Sequence, residues 1–317
     1  MAATGTVLVV TELEDVTSNF VIAELNKRGV PVARFNLADI GPGLTVSAHY
    51  GDEPVAGQLE TLSRAVDLRQ VRSLYWRRPT WPDFSQLSGP DAVHSAAQVR
   101  FGLGGILYNL PGCLYLNHPL KNHNAEHKPL QLDLAQRSGF RVPPTLISND
   151  LAEIRAFVRQ HSPTIYKALR WTPYVAEDGT GATTWTEPVT VEELDESVVW
   201  TPHLFQAQVA KTADVRVVVV GDRVFAVRID SELLDWRRDY SALKHSVIEL
   251  PDGVNAALVK YLQDLDLASG SFDLCIDQDG EFTWLELNPN GQWGWLEAET
   301  GLPLASAFAD LLERGAL

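Results

Sequence analysis

The sequence predicts a mixed α/β (α+β) protein of two or three compact lobes, and three stretches carry that reading. Thr6 to Val10, a helical stretch from about Asn19 to Arg28, and Val32 to Phe35 form a β-α-β opening. Leu204 to Val209, Val215 to Val220 and Val224 to Ile229 are strands in succession, the last two joined around Gly221-Asp222. Ser271 to Glu297, SFDLCIDQDGEFTWLELNPNGQWGWLE, reads as a hairpin that turns at Asp279-Gly280 and stops sharply at Pro289-Asn290-Gly291. With 317 residues and 45% hydrophobic content, the chain can bury a substantial core.

Taken in order, the first strand is a buried apolar run, and Gly29 is placed to cap the helix that follows. The opening lacks the G-x-G-x-x-G pattern of dinucleotide sites. Leu44 to Tyr50 and Val71 to Trp76 are further strands, and Arg77-Arg78-Pro79 falls at the carboxyl end of the second. Ligands gather at that edge of an open α/β sheet, so Arg77 and Arg78 are candidates to hold an anionic substrate; a solvated charged turn is the alternative. A helix from about Asp91 to Asn109 and a strand at Cys113 to Asn117 close this lobe near residue 120.

Leu130, Leu134 and Phe140 then suit an amphipathic helix stopped by Gly139. Lys128 stands near its start, where the helix macrodipole disfavours a cation, and a phosphate sharing the site would give it a reason. A helix from about Leu151 to His161 leads to the strand Thr164 to Leu169, in which Lys167 interrupts an apolar run. Such a lysine either snorkels to the surface or answers a buried anion. The stretch 177–184, EDGTGATT, is rich in backbone donors suited to folding over phosphates. Thr190 and Glu193 form a capping box. Arg216, inside a hydrophobic strand, demands a carboxylate or phosphate partner. Asp235-Trp236-Arg237-Arg238 adds a basic cluster, a helix spans about Asn255 to Leu265, and Leu304, Phe308, Leu311 and Leu312 share one face of a last helix, Pro303 to Glu313.

A two-residue loop at Asp279-Gly280 sets Gln278 opposite Glu281 and Asp273 directly across from Glu286, with Asn288 further along the same face. The opposite face collects Phe272, Leu274, Ile276, Leu285 and Leu287. Facing carboxylates repel by roughly 3 kcal/mol at ~5 Å with an effective dielectric of ~20. A cation between them removes that cost, and the hard oxygens of Asp273, Glu286 and Asn288 suit Mg²⁺, which completes its shell with waters and phosphate oxygens. The alternative is a solvated strand face with one carboxylate neutralised by a raised pKa.

A formal net charge of -15 and a pI near 4.9 argue against a nucleic-acid or anionic-membrane partner, so an anionic substrate needs a local basic cluster. The only cysteines, Cys113 and Cys275, provide neither a disulfide framework nor a zinc pattern, and no basic leader or membrane-length segment is present; a cytoplasmic location is expected.

The ordered set of Lys128 and Lys167, the strand Phe205-Gln206-Ala207-Gln208-Val209, Asp214-Val215-Arg216, and Asp273 with Glu286-Leu287-Asn288 resembles the ATP-grasp family over about residues 118 to 300. The resemblance implies an ATP-grasp fold: two antiparallel-sheet lobes around ATP, preceded by a small α/β domain, with boundaries at 1–120, 121–205 and 206–317. It further implies that Lys128 and Lys167 bind ATP phosphates; that Gln206, Gln208 and Val209 form the hinge at adenine; that Arg216 lies near the γ-phosphate, acting with Lys167 in catalysis; and that Asp273, Glu286 and Asn288 hold Mg²⁺. Ala207 departs from the hinge carboxylate many relatives carry, leaving Lys211 and Asp214 for the ribose; Asn290 joins the nucleotide set.

Within the family, Tyr75-Trp76-Arg77-Arg78-Pro79, the run Ala226 to Ser231, Asp235-Trp236-Arg237 and Asn288 to Glu297 resemble the ribosomal-peptide maturases that make graspetides. That implies an ADP-forming ligase that phosphorylates Asp or Glu side chains of a precursor peptide and links them to Thr or Ser hydroxyls as esters, or to Lys amines as amides, giving macrocycles. Arg77, Arg78, Arg228, Arg237 and Arg238 are the candidates for receiving the acidic core peptide, and a homodimer is compatible with the sequence. Two rivals stand beside it. A ligase adding a free amino acid such as glutamate would turn over ATP with that amino acid alone; a non-catalytic nucleotide-binding protein would bind ATP without substrate-stimulated ADP release.

Overall fold

The computed structural model describes residues 5–51, 55–170, 172, 174–175 and 181–317, so 177–180 of the stretch expected over phosphates lie outside the described residues. Strand β1 (Thr6–Val10), helix α1 (Val16–Lys27) and β2 (Val32–Phe35) form the parallel opening unit, and Gly29, at φ 71°, ends α1 in the left-handed region. β3 (Leu44–His49), β4 (Ala56–Thr61) and β5 (Ala65–Asp67) make a small antiparallel sheet. β6 (Val71–Trp76) and β7 (Leu114–Leu116) complete the parallel sheet, of order β2-β1-β6-β7.

The single helix expected over 91–109 is two, α2 (Gly89–Phe101) and α3 (Leu103–Leu107). Gly102, Gly104 and Gly105 weaken helix continuity there, and the bare face of Gly104 lies against Trp81 and Tyr108.

After α4 (Pro119–Ala125) and α5 (Lys128–Arg137) comes an antiparallel sheet of β8 (Thr145–Ser148), β9 (Thr164–Lys167), β12 (Glu187–Val189) and β13 (His203–Ala207), in the order β12-β9-β13-β8. Helix α6 (Leu151–Gln160) packs on it, and β10 (Tyr174–Val175) pairs with β11 (Gly181–Ala182). The last sheet comprises β14 (Lys211–Val220), β15 (Arg223–Asp230), β16 (Lys244–Ile248), β17 (Ser269–Asp277) and β18 (Phe282–Asn288), ordered β16-β15-β14-β17-β18. Helices α7 (Asp252–Asp264), α8 (Gly294–Thr300) and α9 (Leu304–Arg314) accompany it.

Alternation divides the five-stranded sheet. Val215, Val217, Phe272, Leu274 and Trp284 face α5 and α7, while Val218, Val220 and Val227 share a core with Val7, Val9 and Tyr75 of the first sheet and with α1 and α9. The first and last lobes are therefore joined by a common apolar layer. Arg28 reinforces it through Asp310 at 2.6 Å and Glu313 at 3.1 Å. Buried Asn117 does the same near the site: its carbonyl oxygen accepts from the Ala268 and Ser269 amides, and its Nδ2 donates to the Ser269 carbonyl. Among the described residues no helix is long and apolar enough to cross a membrane.

Candidate active site

The β17–β18 hairpin sets Asp273 opposite Glu286, although not by the expected turn. Near the loop the pairs are Ile276 with Phe282, Cys275 with Thr283 and Leu274 with Trp284; beyond it they are Asp273 with Glu286, Phe272 with Leu287 and Ser271 with Asn288. The connection is one residue longer than an Asp-Gly turn, with Gly280 at φ 84°, and a bulge at Leu285 restores the register. The two departures cancel at the carboxylates. They do not cancel at Leu285, expected on the core face: Trp284 takes that place, fully buried, and Leu285 lines a pocket beside Glu286.

Cations from different elements converge on this pair. Lys128, at the start of α5, reaches Glu286 at 2.6 Å; Arg237 reaches it at 3.2 Å while forking onto buried Asp235 at 2.8 and 2.9 Å. Arg216 on β14 donates to Asp273 at 2.7 Å and to the Gln292 carbonyl at 3.2 Å. Its partner in the apolar strand is thus a protein carboxylate. Asn288 Nδ2 lies 3.1 Å from Asp273 and 3.3 Å from Glu286.

The two carboxylates are electrostatically unequal. Burial pushes the Asp273 carboxyl above its ordinary range, with the Arg216 charge opposing and Glu286 adding to the shift. Burial also pushes Glu286 up, but Lys128, Arg237 and Lys167 outweigh it and hold this carboxyl well below its ordinary range. Lys167, on β9, has no ion pair among the described residues, and burial draws its pKa down, offset in part by Glu286. It is a cation placed beside the cluster without an anion of its own.

Behind the cluster lies a pocket of about 580 Å³ between the two antiparallel sheets, lined by Lys167, Gln206, Gln208, Val209, Lys211, Asp214 and Leu285 among others. At the end of β13 the Ala207 and Gln208 amides donate to the carbonyls of Pro144 and Pro163, and the Val209 carbonyl accepts from the Lys211 amide at 2.9 Å. Among the described residues the side-chain oxygen of buried Gln206 has no hydrogen-bond partner. An unpartnered acceptor lining the pocket fits an amine donor such as the exocyclic amine of adenine.

Lys211 pairs with Asp214 at 2.5 Å, and burial raises the Asp214 carboxyl to about 6, the lysine opposing. Cys275 lines the same pocket as a free thiol, and burial pushes it up to about 12.

An outer channel of about 1830 Å³, open to solvent, runs from Glu286 past Lys128, Arg216, Asn288 and Trp295 to Arg78. The sequence candidates for a peptide-receiving surface part company here. Exposed Arg78 lines the channel and has no ion pair among the described residues. Arg77 is buried, and its guanidinium is committed to Asp15, Gln292 and two backbone carbonyls. Arg228 is paired across β14 with Val215, on the opposite face of the sheet from Arg216, and binds Asp230 at 2.9 Å, so it does not join the site. Arg238 pairs with Glu187. Asn290 borders the channel, but its amide donates to the Arg77 carbonyl at 3.2 Å.

Sequence reasoning passed over Asp235 as the anchor of Arg237, and Gln131, whose buried amide brackets Leu287 by donating to its carbonyl at 2.9 Å and accepting from its amide at 3.1 Å. The dipeptide spacing Asp235-x-Arg237 was a visible signal for the first; the second depends on tertiary contact alone.

The donor chemistry suits Mg²⁺. Among the described residues no group of three or more His, Cys, Asp or Glu side chains could hold a metal, and the cluster offers two carboxylates and one amide oxygen after rotation of Asn288. That is the sparse all-oxygen set which Mg²⁺ completes with water and phosphate.

No family model and no curated protein matches the chain. Solved structures do. The RiPP-associated ATP-grasp ligase of Chryseobacterium gregarium, in complex with ADP and a leader and core peptide, is 25% identical, with 99% of this chain and 98% of that chain covered and a TM-score of 0.90. Macrocyclase MdnB from Microcystis aeruginosa MRC is 27% identical, covering 97% and 99%, at a TM-score of 0.78. Macrocyclase MdnC from the same source, bound with precursor peptide MdnA, is 24% identical over 97% and 98%, at a TM-score of 0.87, and adds to the likeness in fold.

Proposed function

We propose that the chain is an ATP-grasp ligase like the RiPP-associated ligases it resembles, and that it phosphorylates Asp or Glu side chains of a ribosomally made precursor peptide with ATP and closes them onto Thr or Ser hydroxyls, or Lys amines, as macrocycles. The observation that carries this reading is the placement of the Lys128, Lys167, Arg216 and Arg237 cations around the Asp273–Glu286 pair, where the inner pocket meets the outer channel.

Adenine would lie against Gln206, Gln208 and Val209, the ribose toward Lys211 and Asp214, and the phosphates would extend past Lys167 and Lys128. Asp273, Glu286 and Asn288 would hold Mg²⁺, which would supply neutralisation of phosphate charge there. A substrate carboxylate oxygen bonds to the γ-phosphorus as the bond to the β-phosphate oxygen breaks, releasing ADP and leaving an acyl phosphate. Arg216 and Lys167 offset the charge on the transferring oxygens. The peptide hydroxyl oxygen then attacks the acyl carbon, phosphate departs with the bonding pair, and the hydroxyl proton passes to solvent or phosphate. Holding that hydroxyl near the carbonyl does most of the remaining work. Arg78 and Arg237 are the groups we assign to the acidic core.

We divide the chain by role into 1–120, 121–205 and 206–317, place it in the cytoplasm, and assign it no nucleic-acid partner. A homodimer would have a natural surface in α2, which buries none of its residues in the chain and exposes Val93 and Phe101; light scattering of the purified protein decides this.

The test is intact-mass analysis of short peptides encoded beside the gene, incubated with protein, ATP and Mg²⁺. ATP-dependent loss of one or more waters is expected. An unchanged mass, with ADP released only when a free amino acid is added, replaces this reading with the amino-acid ligase.

A further inference from the structure

We propose that Arg77 is a positioning residue through which the first lobe sets the phosphoryl-transfer arginine, Arg216. The inference deepens the ligase reading above and rests on it for the role of Arg216.

Arg77 stands at the end of β6, buried with 4% of its surface exposed, and its ring-facing side lies 5.7 Å from the Tyr75 centroid. Its guanidinium leaves its own lobe. Nη1 donates to the carbonyls of Asn290 at 3.3 Å and Gly291 at 3.2 Å, Nη2 donates to Gln292 Oε1 at 2.9 Å, and Nε faces Asp15 at 3.4 Å. The return contact runs from the Asn290 amide to the Arg77 carbonyl at 3.2 Å, and Thr17 on α1 donates to the same Gln292 oxygen at 2.5 Å. One buried cation thus holds successive residues of the loop that follows Asn288.

That loop is also the seat of Arg216. Arg216 Nη2 donates to the Gln292 carbonyl, and a Cβ on Gly291 would lie 2.7 Å from Nη2 and 2.5 Å from the Ser271 Cβ. Arg216 is therefore wedged between Asp273 and the loop, with no room to follow a loop that shifts. A residue that fixes the loop fixes the guanidinium, and a misplacement of about 1 Å costs about a hundredfold in rate.

Arg77→Lys keeps the charge beside Asp15 and loses the fork. Hydrogen exchange should speed up about tenfold or more at the amides of 290–293, while the amides of β14 are unchanged. Steady-state ADP release at saturating Mg²⁺ and ATP, measured without peptide and then with it, should fall about a hundredfold with unchanged KM values. In an Arg216→Lys background the same change should cost less than about twofold, because the step it acts through is already lost. Arg28→Lys, which loosens the same lobe interface away from the loop, should leave ADP release as in the wild type.

Gln292→Met offers a milder cut of the same contact should Arg77→Lys fold poorly, and the same exchange pattern is expected of it. Unchanged exchange at 290–293, an undiminished effect in the Arg216→Lys background, or a rise in peptide KM alone overturns the proposal. Wild-type protein that forms no ADP overturns the ligase reading instead, and the exchange data then decide the loop contact by themselves.

Discussion

Replacing Glu286 by Gln preserves shape and hydrogen-bonding capacity while deleting one charge, which makes its consequences calculable. The gross attraction of Lys128 at 2.6 Å and Arg237 at 3.2 Å is roughly 6 and 5 kcal/mol at an effective dielectric of ~20, against a repulsion by the facing Asp273 of roughly 3 kcal/mol at ~5 Å. Loss of the attraction is offset by relief of the repulsion and by resolvation of the two cations, so the fold should weaken by no more than about 1–3 kcal/mol. The metal suffers more. Taking one of two carboxylates from a cation removes roughly 4 kcal/mol per unit charge at ~4 Å and a dielectric of ~20, equal to about three orders of magnitude in rate.

Nucleotide binding without metal should move the other way. Glu286→Gln leaves Lys128 and Lys167 unopposed at that position, so ATP measured calorimetrically in EDTA should bind as tightly as to wild type or more so. ADP release with Mg²⁺ should drop about a thousandfold. Wild-type turnover, or a parallel loss of metal-free ATP binding, would refute the assignment of Glu286 to the metal.

Other substitutions probe neighbouring parts. Lys167→Met removes a cation that has no ion pair among the described residues, so the melting temperature should hold or rise while ATP affinity falls about tenfold or more. Asp214→Asn tests a carboxyl whose folded pKa is raised to about 6: between the ordinary Asp value and 6 the folded state keeps a proton the unfolded chain releases, so wild-type stability falls as pH rises through that window. The melting temperature of Asp214→Asn relative to wild type should therefore be higher at pH 8 than at pH 4, and a pH-independent difference would contradict it. Gly291→Ala should abolish ADP release by displacing Arg216, with nucleotide binding retained; normal rates would show that the loop yields.

The Asp273–Glu286 facing was legible because side-chain alternation carries over long distances, and because the longer loop and the Leu285 bulge offset one another. Alternation alone cannot reveal a bulge, which is why Leu285 was expected in the core and Trp284 was not. Lys128 and Lys167 were legible as cations in places that ordinarily exclude them; that both approach one carboxylate is a property of the assembled sheets. Arg228 shows the opposite limit. Its charge was plain in the sequence, yet its strand register turns it to the other face. Arg77 was legible as a charge at a strand end, expected to hold an anionic substrate or to sit in a solvated turn; its burial against a loop encoded far downstream was not.

The cationic cluster lies inside a chain whose formal net charge is -15. A polyanionic ligand approaching from a distance meets a repulsive field before it meets Lys128 or Arg216. At low ionic strength that field reaches beyond the about 10 Å screening length of 0.1 M salt. Added salt should therefore first accelerate ATP capture, the reverse of ordinary electrostatic steering, while the enclosed contacts that govern release respond much less.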